Sequence, residues 1–451
     1  MTWGPTGFSL PAFELFPDSA AREDGELVLG GVRASRLAEE FGTPLLVYCE
    51  QTLLAHAEAY RSSASDTLLL YSVKAFPSVA ILELVAGAGY GADVSTAGEL
   101  AFALRAGIPG ERIVLHGNNK SDEELAAAAA ADVRYVVIDA ADEVARAATA
   151  GVERVLVRVT PGIEAETHAA ITTGHRGSKF GLPPEDALEA IDVARAAGLE
   201  VAGLHVHIGS QLLETAAVRT TIAWLAAFAS ECRTRLGWVP GTIDLGGGLG
   251  VQHVLEEEAP SIETFVGALI ERVAEEWKRH ELPSADLVLE PGRSLVGRAG
   301  VTLYRIGVVK RASERVTYVA IDGGMSDNPR PQLYGALYSA LVAERVDDPP
   351  TGVFSVCGKH CESGDVLIDG VRLASPRRGD ILAVPATGAY TLAMSSNYNA
   401  VPRPAAVLVS EGEARLIRRR ESIDDLLDLE APSTEGSALT AGGAVTDAAG
   451  K

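Results

Sequence analysis

Cysteine is scarce in this chain: its 451 residues include only Cys49, Cys232, Cys357 and Cys361, too few and too scattered for a disulfide framework. No CxxC pair occurs. Cys357 and Cys361 flank His360 without a second cluster downstream, so a zinc site is not indicated and no metal is expected. Long apolar runs are missing too, and no stretch of about 20 apolar residues offers a membrane span. The alanine run 126–131 is short, follows Glu123 and Glu124, and reads as a helix former. The first residues lack a basic start followed by an apolar run, so they do not read as a secretory signal. Positive charge is in the minority, with Lys+Arg 39 against Asp+Glu 61 and a formal net charge of −22. That balance repels phosphate backbones and anionic lipid heads and argues against nucleic-acid and membrane partners, while leaving room for a local cationic pocket. GxGxxG is absent, so a dinucleotide is not indicated. Together these absences point to a protein of the reducing cytoplasm.

What is present is ordinary for a globular enzyme: 47% hydrophobic and 22% charged residues. The length fits two or three domains, or one large α/β barrel with a smaller module. From Leu68 to about Glu290, short apolar runs alternate with amphipathic helical patterns. The runs are LLLYSVKA, YGADVS, RIVLHG, YVVID, RVLVRVTP, VAGLHVHIG, TIDLGGG and DLVLEPG. Near-continuous apolar strands with helical crossovers predict a parallel sheet covered on its outer face, and eight units predict a (β/α)8 TIM-type barrel. Beyond Arg293 the pattern becomes strands separated by turn residues, an all-β sandwich- or barrel-like module. The expected division is 45–300 for the barrel, 1–44 with 301–430 for the β-domain, and a disordered tail over 431–451.

Polar residues interrupt the apolar strands at their C-terminal ends: Lys74, Asp93, His116, His207, Gly246 to Gly248, and Glu290. In a barrel of this kind those ends open on one face, where active sites lie. An amine in an apolar barrel mouth is expected to have a lowered pKa and to suit Schiff-base formation with an aldehyde; Lys74 alone reads equally as a lysine snorkelling to water. The glycines of DLGGGLG bring backbone N–H groups close enough to cradle a phosphate, though many such runs are only tight turns. Glu290 suits a protonated ring nitrogen and Arg293 an anion; the alternative is an ion pair closing the LEPGRS loop. His207 suits stacking on a planar ring, with Ser210 beside it for a phosphate. His205, on the same side but deeper, reads as a satisfied core histidine, and no acidic cluster flanks the pair to suggest a metal. Cys361 beside His360 suits proton donation and Glu362 a substrate ammonium, against a buried thiol and a solvated carboxylate. Tyr390, on a Gly-containing turn, suits a hydrogen bond to a phosphate or contact with the substrate, and Arg330 with Tyr334 offers a carboxylate clamp, or simply solvated loop residues.

The ordered set YSVKAFP, GYGADVSTAGEL, HGNNKSDEEL, HVHIGSQ, DLGGGLG, LEPGR, NPRPQLYGA, GKHCESGD and TGAYTLAMSSNYN resembles the diaminopimelate decarboxylases. These are pyridoxal 5'-phosphate enzymes of the alanine-racemase-like barrel type, related to the ornithine and arginine decarboxylases. The resemblance runs from about Gly42 to Pro404. It implies that Lys74 holds the cofactor as a Schiff base, that His207 stacks on its ring, and that Glu290 meets its pyridine nitrogen, with Asp93 nearby. Ser210, Gly247, Gly248, Gly292 and Tyr390 match phosphate-binding positions, and Arg293, Arg330 and Tyr334 substrate-carboxylate contacts, Arg293 also lying beside the cofactor. Cys361 and Glu362 match a pair that reaches the pocket from the other subunit of a homodimer with shared active sites. The implied reaction is decarboxylation of meso-2,6-diaminopimelate to L-lysine, the last step of lysine biosynthesis, with Cys361 the candidate proton donor ahead of Lys74 and His207. Ornithine, arginine or carboxynorspermidine decarboxylation, or a cofactor-holding homologue without turnover, are the competing readings.

Overall fold

The computed structural model describes residues 13–162, 178–207 and 209–431. The tail expected over 431–451 therefore falls outside the described residues from 432 on.

Eight strands close into a barrel: Thr67–Ser72, Gly91–Val94, Ile113–Leu115, Tyr135–Ile138, Arg154–Arg158, Glu200–His205, Thr242–Asp244 and Asp286–Leu289. Each pairs in parallel with its neighbours in chain order, and Asp286–Leu289 closes the ring on Thr67–Ser72. Every one of the eight apolar runs supplies one of these strands. Helices cross between them, several with the start signals expected of helices; Ser121, for example, caps Asp122–Ala130 through a capping box with Glu124.

The inside of the ring explains where the chemistry goes. Leu70, Val114, Tyr135, Val137, Leu156 and Val288 form a buried apolar plug inside the barrel. Side chains alternate along a strand, so the residue two positions on points inward again, one layer nearer the C-terminal mouth. From Leu70, Val114, Val137, Leu156 and Val288 that step reaches Ser72, His116, Asp139, Arg158 and Glu290. The plug makes the floor and the next layer makes the site.

A nine-stranded sheet forms the second unit. Its main path runs Val366–Leu373, Gly352–Cys357, Thr317–Ile321, Gly300–Arg311, Leu45–Cys49, Ala405–Ser410 and Glu413–Arg418, with Leu341–Val342 and Ile381–Val384 attached. Leu45–Cys49 pairs antiparallel with Gly300–Arg311 and parallel with Ala405–Ser410. These residues therefore belong to the β-sheet unit and not to the barrel ring, although the expected boundary placed residue 45 at the barrel's start. An N-terminal three-stranded sheet packs Leu27, Leu29 and Val32 against Val301 and Val407 of this unit.

Candidate active site

The barrel mouth encloses a cavity of about 520 Å³, within the size range of small-ligand sites. Lys74, His116, His207, Ser210, Gly247, Gly248, Glu290, Gly292, Arg293, Tyr334 and Tyr390 line it, together with Ser72, Arg158, Phe180, His205 and Asn118.

Lys74 sits on a single helical turn that follows the first barrel strand. Its side chain reaches into the cavity and keeps 43% of its exposure there, while Asp93, 2.8 Å from Nζ, is buried. Ser72 Oγ donates to the same Asp93 oxygen at 2.5 Å. The surrounding protein alone would push the amine down, but the charges of Asp93 and then Glu290 outweigh burial and hold it above the ordinary lysine value. The expected lowering is thus overturned, because the neighbouring strand places a carboxylate directly on the amine.

Glu290 enters the same space because the turn after its strand packs against the one bearing Lys74. Ser72 N donates to Pro291 O at 3.1 Å, and a Cβ at Gly292 would lie 2.9 Å from that of Ser72. Only glycine lets the two turns meet so closely. His116 Nε2 lies 2.6 Å from Glu290 Oε1, and His205 Nε2 3.8 Å from Oε2. Burial would raise the Glu290 carboxyl, yet the two imidazoles hold it well below the usual range. Asp244, behind it, is pushed well above its usual range by burial and by the Glu290 charge. The two neighbouring carboxyls are thereby pushed in opposite directions.

His116, His205, Asp244 and Glu290 place four side-chain ligand atoms within 4.8 Å of one another, all buried. The sequence showed no acidic cluster at His205 because Asp244 and Glu290 arrive from two other strands. His116 Nε2 and Glu290 Oε1 stand at hydrogen-bonding distance of each other. His205 also departs from the expected satisfied core histidine: neither ring nitrogen has a hydrogen-bond partner among the described residues, and burial, its leading influence, lowers its pKa to about 4.

The opposite wall is cationic. Arg293 is buried, and its Nη2 donates to Ser210 Oγ at 2.9 Å. Its Nε and Nη1 have no partner among the described residues, and its guanidinium lies 4.6 Å over the Tyr390 ring. Burial, then the like charge of Arg330, lowers it to about 10. Gly246 and Gly248 adopt φ of +66° and +123°. A Cβ on Gly247 would come 2.3 Å from Glu290 O, so the turn's backbone lies flush against the Glu290 strand.

Not all expected residues meet in this cavity. Tyr334 lines it, but Arg330 stands behind the lining, donating from Nη1 to His253 Nε2 at 2.9 Å and to the Tyr338 hydroxyl. Cys361 and Glu362 are exposed on the β-sheet unit and outside the lining. His360 does not turn toward the Cys361 thiol; its Nδ1 is 2.7 Å from Asp365 Oδ2. Conversely, the sequence reading passed over Asp139, Arg158 and Asp244, although all three stand at strand ends. Arg158 Nη1 lies 3.5 Å from Asp139 Oδ2 and its guanidinium 4.6 Å over the Phe180 ring.

Residues 50–297 match the family described as "Pyridoxal-dependent decarboxylase, pyridoxal binding domain". The chain is 43% identical to a diaminopimelate decarboxylase of Actinosynnema pretiosum subsp. auranticum, covering 93% of this chain and 96% of that one. It is 40% identical to the diaminopimelate decarboxylase of Bacillus subtilis over 93% and 98% of the two chains. The crystal structure of diaminopimelate decarboxylase from M. jannaschii in co-complex with L-lysine superposes with a TM-score of 0.85 at 33% identity, covering 92% of this chain and 98% of that one. The donor set suits pyridoxal phosphate. A buried guanidinium with two nitrogens unpartnered among the described residues shares one cavity with a glycine-rich turn, a buried carboxyl and a lysine. This chain belongs to the diaminopimelate decarboxylases, the pyridoxal-phosphate-dependent carboxy-lyases of the alanine-racemase-like barrel fold.

Proposed function

We propose that the chain decarboxylates meso-2,6-diaminopimelate to L-lysine with Lys74 as the residue that holds the cofactor. The observation that carries this reading is the placement of the Lys74 amine, the Glu290 carboxyl and the Arg293 guanidinium around one cavity. Pyridoxal phosphate supplies an electron sink for the electron pair left when a carboxylate departs as carbon dioxide.

The protein's residues do the rest. Lys74 would hold the cofactor's aldehyde carbon through Nζ, and Asp93 would hold the amine in place and take up its positive charge. Glu290, its carboxyl held down chiefly by His116, would hold a proton on the ring nitrogen. His207 would stack on the ring, and Ser210, the backbone of Gly247, Gly248 and Gly292, and Tyr390 would bind phosphate. Arg293 and Tyr334 from the cavity lining, and Arg330 from behind it, would grip substrate carboxylate. Cys361 would deliver a proton from Sγ to the carbon that loses its carboxylate, and solvent would restore it. Glu362 would pair with the distal ammonium. The exposure of Cys361 and Glu362 on the β-sheet unit supports a homodimer in which this pair completes the partner's cavity.

Carbon dioxide release from stereochemically defined diaminopimelate, ornithine and arginine tests the reading. Turnover of meso-diaminopimelate alone is expected. Release from ornithine but not from diaminopimelate would replace it with a diamine-forming decarboxylase, and no release from any, with cofactor bound, with a holding protein.

A further inference from the structure

We propose that His253 sets the substrate grip of this enzyme by fixing Arg330, its Nε2 accepting the Arg330 Nη1 hydrogen bond at 2.9 Å. The inference rests on reading Arg330 as a carboxylate contact and adds the residue through which that arginine is held.

Arg330 is 4% exposed and His253 3%, so neither can exchange its partner for bulk water. A guanidinium only donates. Nε2 therefore accepts from the arginine, while Nδ1 lies 3.7 Å from Glu257 Oε2 and 3.3 Å from the Gln211 amide nitrogen. Three further contacts hold the ring and the backbone that carries it. Glu257 accepts from His253 N at 2.8 Å, Tyr338 meets the ring edge-on at 5.2 Å and 88°, and the Gln211 amide brackets the backbone of Val251, two residues before. The segment runs directly on from the glycine turn that lines the cavity.

The electrostatics favour an acceptor there. Arg293 and Arg330 already repel each other, and a protonated imidazole would add a third positive charge. Burial, followed by those two arginines, opposes the single nearby carboxylate of Glu257 and lowers His253 to about 4. Neutral His253 and the Tyr338 hydroxyl thus hold the Arg330 fork without neutralising it. The full positive charge is left for an incoming carboxylate, which a carboxylate partner in that place would consume. His253 touches no reacting atom and is a positioning residue.

The test is steady-state kinetics of the cofactor-loaded enzyme on diaminopimelate. His253→Phe keeps a ring against Tyr338 and removes the acceptor; KM should rise about tenfold, the scale of a lost hydrogen bond to a charged group, with kcat within about twofold. His253→Gln, which restores an acceptor, should recover most of the loss. Adding His253→Phe to Arg330→Met should change KM no further than Arg330→Met alone. His253→Leu stands in for the Phe variant if that fails to fold. An unchanged KM in the Phe or Leu variant, equal impairment of Phe and Gln, or full additivity with Arg330→Met would each overturn the proposal. If Arg330→Met itself leaves KM unchanged, the carboxylate reading of Arg330 fails and the proposal with it. A large Arg330→Met effect beside a silent His253→Phe removes only the role of His253.

Discussion

Asp93 Oδ2 accepts from Lys74 Nζ at 2.8 Å and from Ser72 Oγ at 2.5 Å, so one buried carboxylate oxygen holds the amine at the centre of the proposed chemistry. In Asp93→Asn the leading charge that raises the Lys74 pKa disappears. More of the amine is then unprotonated at a given pH. The rate at which cofactor-free protein takes up pyridoxal phosphate should therefore rise at lower pH in the variant than in the parent. Identical pH profiles would show that Asp93 does not govern the amine.

Gly247→Ala places a Cβ 2.3 Å from the Glu290 carbonyl, whereas at Gly267 nothing lies within 4 Å. The obstruction at Gly247 is backbone, so the turn must move. A loss of about 1–3 kcal/mol is expected, with weaker retention of the cofactor phosphate. Gly267→Ala, inside the helix Ile262–Arg279, should instead stabilise by up to about 1 kcal/mol. Urea denaturation of the two variants decides the matter; equal effects would contradict it.

His205 is lowered to about 4, chiefly by burial, against an ordinary value near 6.5. Below that ordinary value the unfolded chain takes up a proton that the folded chain refuses, so stability falls with pH. The loss sets in below about pH 6.5 and builds toward pH 4, reaching on the order of 1–3 kcal/mol. Tm measured against pH should drop less steeply over this window in His205→Asn than in the parent, whatever the variant's overall stability. A parallel drop would exclude His205 as a source.

Lys120 is almost wholly buried and bonds Glu143 Oε1 at 2.9 Å and the carbonyls of Gly117 and Val137 at 2.6 and 2.7 Å. It ties the loop bearing His116 and Asn118 to the next barrel strand. Lys120→Met leaves the buried Glu143 carboxylate unpaired and should cost about 3–5 kcal/mol. Adding Glu143→Gln should recover part of that. A loss under about 1 kcal/mol in denaturant titration would mean that solvent reaches the pair.

A cavity shared between chains makes a separate prediction. Lys74→Ala and Cys361→Ala proteins, each inactive, should regain measurable carbon dioxide release when mixed and allowed to exchange subunits, because one hybrid cavity then carries both residues. Verified mixed dimers without activity would place Cys361 outside the chemistry.

The barrel was legible because each of its strands is a short, almost unbroken apolar run, a pattern that only strands buried on both faces can afford. The site was legible where polarity broke those runs at their ends, as at Lys74, His116 and Glu290. The same rule, applied to every strand, would have found Asp139 and Arg158 two positions beyond the plug residues Val137 and Leu156. Other features depend on pairs that the chain order keeps apart. The direction of the Lys74 shift is set by Asp93 on the adjacent strand, and the split between Asp244 and Glu290 by two strand ends meeting. LLVYC of Leu45–Cys49 reads like a barrel strand since it too is buried throughout; only its pairing places it in the other sheet. His253 follows a glycine turn in a stretch without periodicity, and only its contact with Arg330 distinguishes it.

Borohydride reduction of the cofactor-loaded protein, followed by mass mapping of the modified peptide, tests the central claim most directly. The pyridoxyl group should be found on Lys74, and Lys74→Ala should carry none and lose both visible absorbance and activity. A pyridoxyl group on another lysine with Lys74 unmodified, or a coloured and active Lys74→Ala protein, would contradict the account.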